Sequence, residues 1–282
     1  MKYFDKFRVK PGRKVKLGEV DPDFTDEHAS REEVAKETKS LTRRLRELQE
    51  RLYAEHERSL LICLQAIDAG GKDGTIRHVL GAMNPQGCKV ISFKEPTRME
   101  LDHDFLWRIH QQVPGKGEVA VFNRSHYEDV LIATVRELVP KKVASAHYDQ
   151  INTFEEMLTQ NHTHVLKFFL HISKEEQLER FKSRLDDPTK QWKISESDYT
   201  ERNRWNDYMR AFEKAMSKCS TDHAPWFIIP ANKKWFRNLT VARIVVEYLD
   251  SLELKYPAPT VDLAKIRHEY YKAEAEPKPV NG

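Results

Sequence analysis

From residue 60 to residue 67 the chain carries a nearly unbroken apolar run, LLICLQAI. Such a run suits a strand buried on both faces and is too short for a core helix. Ala69-Gly70-Gly71-Lys72-Asp73-Gly74 breaks it, and a helix is predicted from Lys72 to about Met83, stopped by Asn84-Pro85-Gln86-Gly87. Further strands are predicted at 88–93, 119–122, 165–172 and 226–229. Helices are predicted from Thr97, which with Glu100 has capping-box spacing, to about Gln112, and at 126–138, 146–160, 235–254 and 263–274. Strands alternating with helices argue for an α/β fold of three layers, α/β/α, around a mainly parallel five-stranded sheet.

Residues 1–30 have Pro11, Gly12, Gly18 and Pro22 and no clean period, and read as an extended arm across the chain's own domain or a neighbouring subunit. Residues 31–57 read as a helix. Val34, Leu41, Leu45, Leu48 and Leu52 fall at helical spacing, a stripe for the chain's own sheet or a dimer seam. The core is expected over 58–255, with a helical lid inserted at about 175–218. Residues 256–282 give a last helix and a loose EPKPVNG end. In the lid, Leu178, Phe181 and Leu185 form the apolar stripe, and at about 100° per residue Arg180 and Arg184 point away from it. Lys182 falls nearer the stripe. Five basic residues from Arg180 to Lys193 face Asp186 and Asp187, either as a solvated face or as a clamp for a polyanion.

The glycine stretch is the first piece of chemistry. Gly70, Gly71 and Gly74 let backbone N–H groups form an anion nest, and the helix behind it adds its positive end. Lys72 supplies a point charge for phosphate, with Asp73 and Thr75 beside it. Against the pattern G-x-x-x-x-G-K-[ST], Gly71-Lys72 fits, Ala66 replaces the first glycine, and Asp73 stands where the Mg²⁺-holding hydroxyl belongs. Asp68 either holds Mg²⁺, directly or through water, or caps a turn.

A second cluster, Asn123-Arg124-Ser125-His126-Tyr127-Glu128-Asp129, leaves the third strand and enters a helix. Asn123 takes the place of the acid that binds metal in P-loop enzymes, so Asp129 is favoured to supply the missing charge. Ser125 and Glu128 have capping-box spacing, which gives Glu128 another occupation. Arg124 has the fork for two phosphate oxygens, or forms a surface ion pair with a nearby acid. His126 reads as a structural hydrogen bonder. Arg98 and Arg108 are weaker candidates for a nucleotide phosphate, and Asn232 and Lys233 contact the nucleotide or simply form a loop.

Composition narrows the partners. The 282 residues are 39% hydrophobic, and Lys plus Arg exceed Asp plus Glu by 47 − 44 = 3, so an anion site must come from local clustering. Near-neutral charge and the lack of a stacking motif speak against nucleic acid. Cys63, Cys88 and Cys219 are odd in number and widely spaced, which suits reduced thiols in the cytoplasm. No signal peptide or membrane-length apolar run is present. The histidines lack an H-x-x-x-H pair, and no Ser/His/Asp arrangement stands out.

Taken together the motifs resemble the polyphosphate kinase 2 family. The resemblance runs from about Leu52 to Leu249, through LQAIDAGGKDGTIRHV, NPQG, FKEPT, LDHDFLWRIH, FNRSHYEDVLI, the lid around Asp187-Pro188 and Trp192-Lys193, and WFIIPANKKWFRN. It implies a P-loop kinase-like fold and phosphoryl transfer between inorganic polyphosphate and a nucleotide, with Mg²⁺ or with Mn²⁺ in its place. The NRSHYEDV form is similar to the class acting on both nucleoside mono- and diphosphates. By the same resemblance Asp68, Lys72, Arg124 and Arg184 carry functional roles, and homo-oligomers, dimers or tetramers, are expected. Two readings on the same residues compete: an ATP-dependent nucleotide kinase, and a nucleotide-binding module without catalysis.

Overall fold

The computed structural model describes residues 2–137 and 140–275. Its centre is β1 (Ser59–Gln65), buried along its whole length, with β3 (Val119–Asn123) paired on one side and β4 (Thr163–His171) on the other. β2 (Cys88–Ser92) and β5 (Trp226–Pro230) form the edges, and the order β2-β3-β1-β4-β5 is parallel throughout. The period of two in β1 separates its side chains cleanly. Leu60, Ile62 and Leu64 enter one apolar cluster, Leu61 and Cys63 the other. Helices therefore cover both faces, and the chain is a three-layer α/β/α structure.

Helix Arg31–Glu55 buries Val34, Leu45, Leu48 and Leu52 and lies along helix Lys234–Ser251 of the same chain. Arg44 to Asp250 (2.6 Å) and Arg243 to Glu37 (2.5 Å) border that contact. Ahead of it, residues 2–30 cross their own domain. They open with a short helix, Lys2–Phe7, that buries Tyr3, Phe4 and Phe7, and then Val9 N–H donates to Trp226 O at 2.8 Å. Arg8 forms an antiparallel bridge with Phe227, so the arm covers the exposed edge of β5.

Three predicted helices come out shorter. The one after the glycine loop is α-helical over Lys72–His78 and tightens to a 3₁₀ turn at Leu80–Ala82. The stretch from Thr97 forms its capping box but splits into Arg98–Leu101 and Trp107–His110, because the Asp104 carboxylate accepts from Leu106 N–H and competes with the helix. The stretch from His126 is a 3₁₀ turn, His126–Asp129, followed by helix Ile132–Val135. Leu138, the predicted end of that helix, and the EPKPVNG end lie outside the described residues.

The inserted segment is helical: Lys174–Leu185, a 3₁₀ turn Gln191–Lys193, then Glu196–Asn203 and Trp205–Cys219. Its first helix does not seat on the expected stripe. Leu178 and Leu185 are exposed, and the buried residues are Gln177, Arg180 and Phe181. The helix lies over the carboxyl ends of the strands, a surface of backbone carbonyls that an arginine and a glutamine satisfy and leucines do not.

Candidate active site

The functional residues gather where β1 and β3 end side by side, the usual ligand position in an open parallel sheet. Leu64 pairs with Asn123, and Arg124 N–H donates to Leu64 O at 3.1 Å. Beyond Gln65 the chain turns sharply. Ala69 sits at φ 60° and Gly70 N–H donates to Ile67 O at 2.9 Å. A Cβ on Gly70 would stand 2.4 Å from the Ala66 Cβ, so this turn admits only glycine. Gly71, at φ 109°, then caps helix Lys72–His78. Arg124 also lies in the left-handed region, at φ 64°. Two non-glycine residues held there, one on each side of the mouth, store local strain of about 1–3 kcal/mol apiece, as functional sites often do.

Lys72 is half-buried and its Nζ donates to Ala66 O at 2.8 Å. Desolvation, with help from the Arg124 charge, lowers its pKa to about 8. Arg124 spans two acids: Nη2 lies 3.1 Å from Asp68 Oδ1 and Nη1 3.3 Å from Glu128 Oε2. Glu128 is free for this because the expected capping box does not form. Ser125 Oγ accepts from Tyr127 N–H and not from the N3 amide, which leaves the Glu128 carboxylate to turn back to Arg124. Asp129 takes no part in these contacts. Burial raises its carboxyl to about 6, opposed by Arg108, with Glu128 adding to the rise. The structure thus gathers Asp68, Lys72, Arg124 and Glu128, and it sets Asp129 beside Arg108.

Asp73 looks out from the loop. Burial pushes its carboxyl up, but the Asn123 amide (3.0 Å) and Lys193 (3.4 Å) outweigh it and hold the pKa below the usual range. Thr75 is fully buried and its hydroxyl donates to Gly71 O at 3.2 Å inside its own helix, so it does not face the nest. On the lid, Arg184 donates to Lys193 O at 3.1 Å and approaches Asp198 at 3.8 Å. Arg180, expected to point outward, is only 7% exposed and points inward. Its guanidinium donates to Ala69 O (2.8 Å) and Ala231 O (2.5 Å), and its Nε to Glu176 (2.7 Å). That arginine fastens the lid helix to the glycine loop.

The weaker candidates separate likewise. Arg98 is exposed, whereas Arg108 donates to Lys94 O at 2.9 Å and lies over the Phe93 ring. Asn232 is buried and ties Ser173 N–H (2.9 Å) to Asp23 of the arm (2.8 Å), and Lys233 stands 3.5 Å from Asp23. Both serve to hold the arm. Behind the second motif, His126 and Tyr127 donate to or share Glu155 (3.0 and 2.9 Å), which also pairs with Lys167, all four of them fully buried. His126 is therefore a structural hydrogen bonder.

Sequence reasoning gave no site role to two residues: Gln177 Nε2 donates to Asp68 O at 3.0 Å, and Arg237 lies against the glycine loop. Lys193, read as the end of the basic lid segment, reaches Asp73. The signal for Arg237 was an arginine in the apolar run Trp235-Phe236-Arg237-Asn238-Leu239. Mg²⁺ suits the donors present. Asp68, Asp73 and Glu128 offer hard oxygens, and among the described residues no group of three His, Cys, Asp or Glu forms a closed metal cage. Mg²⁺ commonly takes one or two carboxylates and completes its shell with water and substrate phosphates.

Comparison with known proteins points one way. A family model described as polyphosphate kinase 2 matches residues 28–257. The chain is 50% identical over 262 residues to an AMP/ADP-polyphosphate phosphotransferase of Meiothermus ruber, across 93% of this chain and 98% of that protein. It is 43% identical to an ADP-polyphosphate phosphotransferase of Rhodopseudomonas palustris, across 90% and 92% of the two chains. The crystal structure of polyphosphate kinase 2 from Arthrobacter aurescens superposes with a TM-score of 0.92 at 42% identity, covering 96% of each chain. With the site's motifs inside the matched span, the chain belongs to the polyphosphate kinase 2 family.

Proposed function

We propose that this protein transfers phosphoryl groups between inorganic polyphosphate and nucleotides, chiefly carrying AMP and ADP towards ATP with polyphosphate as donor. The observation that carries the reading is the Asp68–Arg124–Glu128 group beside Lys72 at the mouth of β1 and β3. The names of the Meiothermus and Rhodopseudomonas relatives support the substrate class.

The chemistry follows from charge. Donor and acceptor are both polyanions, and phosphoryl transfer passes through a loose transition state that asks the protein for positioning and charge stabilisation. The glycine-loop amides and Lys72 would take one phosphate. Arg124 has two donor arms, now on carboxylates, that can turn to phosphate oxygens. Asp68 would hold Mg²⁺, with Glu128 favoured over Asp129 as the second acid because Glu128 shares Arg124 with Asp68. Bound there, the metal would offset charge on the phosphates. Arg184 and Lys193 on the lid bring further positive charge towards the loop, and lid closure would keep water out.

Assembly as a homo-oligomer and a cytoplasmic setting belong to the same reading. The exposed Ile266, Tyr270 and Tyr271 on helix Leu263–Glu274 support the first, and three free cysteines support the second. No described helix is long and apolar enough to cross a membrane. The experiment is a donor comparison: purified protein with Mg²⁺ and ADP, given either polyphosphate or a second nucleoside triphosphate as sole donor. ATP formed only with polyphosphate is expected. Turnover only with the triphosphate would favour an ordinary nucleotide kinase.

A further inference from the structure

Arg237 is an arginine in an unusual place. It leaves the first turn of helix Lys234–Ser251 among Phe236, Leu239 and Val241, all fully buried, and is itself 2% exposed. Among the described residues its hydrogen bonds go to one neutral acceptor, Asn238 Oδ1, from Nε (3.1 Å) and Nη2 (2.8 Å). Among the described residues it has no carboxylate partner. Arg180 sets a like charge against the same loop, and its own acid, Glu176, is already engaged.

The guanidinium presses on the glycine loop at Gly71 and Gly74. A Cβ on Gly71 would stand 2.0 Å from Arg237 Nη1, and one on Gly74 would stand 2.9 Å from Nη2. The absence of side chains at 71 and 74 is thus what makes room for this cation. A buried charge without a partner is strongly unfavourable, and proteins normally pair it or replace it with an apolar residue. Here a second arginine, Arg180, is placed on the same loop, with Nη1 3.4 Å from the Gly71 Cβ position. Two cations held against a loop whose amides can take an anion raise the potential there, and low local dielectric preserves the effect.

We propose that Arg237 is a positioning residue of the glycine loop: its buried, unpaired charge is held in the empty protein so that phosphate binding compensates it. Arg237 therefore destabilises the unliganded chain and strengthens binding of a phosphate chain. The inference rests on the loop being a phosphate-binding element, as proposed above.

The test uses the full chain, with tripolyphosphate as probe, in the wild type, Arg237→Met, Arg237→Lys and Lys72→Ala. In Arg237→Met the melting temperature without ligand is expected to equal or exceed that of the wild type. The tripolyphosphate-induced rise in melting temperature should fall to less than half. The KM for polyphosphate should rise about tenfold, with kcat within threefold. Arg237→Lys keeps the charge and should retain most of the ligand-induced rise; it also carries the test where the methionine variant does not fold, and loss of the rise in the lysine variant would overturn the proposal. A lower unliganded melting temperature in Arg237→Met with an undiminished ligand shift would mark an ordinary packing residue and overturn it as well. If that undiminished shift is abolished by Lys72→Ala, the phosphate reading of the loop stands and this inference alone fails. No shift in the wild type would overturn both.

Discussion

Arg124 Nη2 lies 3.1 Å from Asp68 Oδ1, and the two residues reach that distance from separate strands, β3 and β1, that are register neighbours. The sheet, and not a local motif, sets their spacing. Replacing Arg124 by Met should lower kcat by about 10²–10³-fold, the loss typical of removing one charge-stabilising donor. Melting temperature should change little, since the pair is partly solvated and exposed pairs contribute about 0–1 kcal/mol. Steady-state kinetics beside a thermal melt checks both halves, and a collapse of the fold would contradict the second.

Glu128 and Asp129 are adjacent in sequence and opposite in expected effect. Glu128→Gln should reduce turnover at least about tenfold if its carboxylate serves the phosphates and metal. Asp129→Asn should leave kcat within a few fold and should stabilise the protein at pH 8. Its folded pKa is raised to about 6, so the native state binds that proton more tightly than the unfolded chain. The carboxyl's unfavourable contribution is present above pH 6 and fades as pH falls towards 4. The stabilisation by Asn should therefore be about 1 kcal/mol or more at pH 8 and smaller at pH 5. Loss of activity in Asp129→Asn would restore that residue to the metal site.

Lys72 gives a pH signature. Its pKa is lowered to about 8, chiefly by desolvation, so the free protein loses this charge as pH rises through that value. A bound phosphate opposes the loss. The profile of kcat/KM for polyphosphate should bend downward above about pH 8, whereas kcat, which reports the bound form, should bend at higher pH. Coincident bends in the two profiles would mean that Lys72 does not meet phosphate.

The buried pair Lys167–Glu155 supports the turn that carries the second motif. Lys167 also donates to Tyr127 OH at 2.9 Å and Cys219 O at 2.6 Å. Lys167→Met should destabilise by about 3–5 kcal/mol, because it leaves the Glu155 carboxylate buried without its cation, held only by His126 and the Tyr127 hydroxyl. Adding Glu155→Leu should recover part of that loss. Chemical denaturation of the single and the double variant measures it, and a double variant no more stable than Lys167→Met would contradict the account.

Much of this was legible beforehand. All five strands were, because parallel strands buried on both faces read as apolar runs and β1 is covered on each side. Asp68, Lys72 and Arg124 followed from their place at strand ends and in the glycine loop. The misreadings share a cause. Periodicity assigned Arg180 to the solvent side and Leu178 to the core, but the surface under that helix is polar, and only the fold reveals it. Ser125 and Glu128 matched a cap by spacing, yet a 3₁₀ turn changed which amide the serine meets. Arg237 meets Gly71 and Lys193 meets Asp73 from far along the chain, and no local pattern reports such contacts.

The most direct measurement is a time course of nucleotide products from AMP, inorganic polyphosphate and Mg²⁺ with the purified wild-type protein and with Lys72→Ala. The account predicts ADP and then ATP from the wild type, with polyphosphate consumed in step, and neither product above background from the variant. Absence of both products from folded wild type, or equal products from Lys72→Ala, would contradict it.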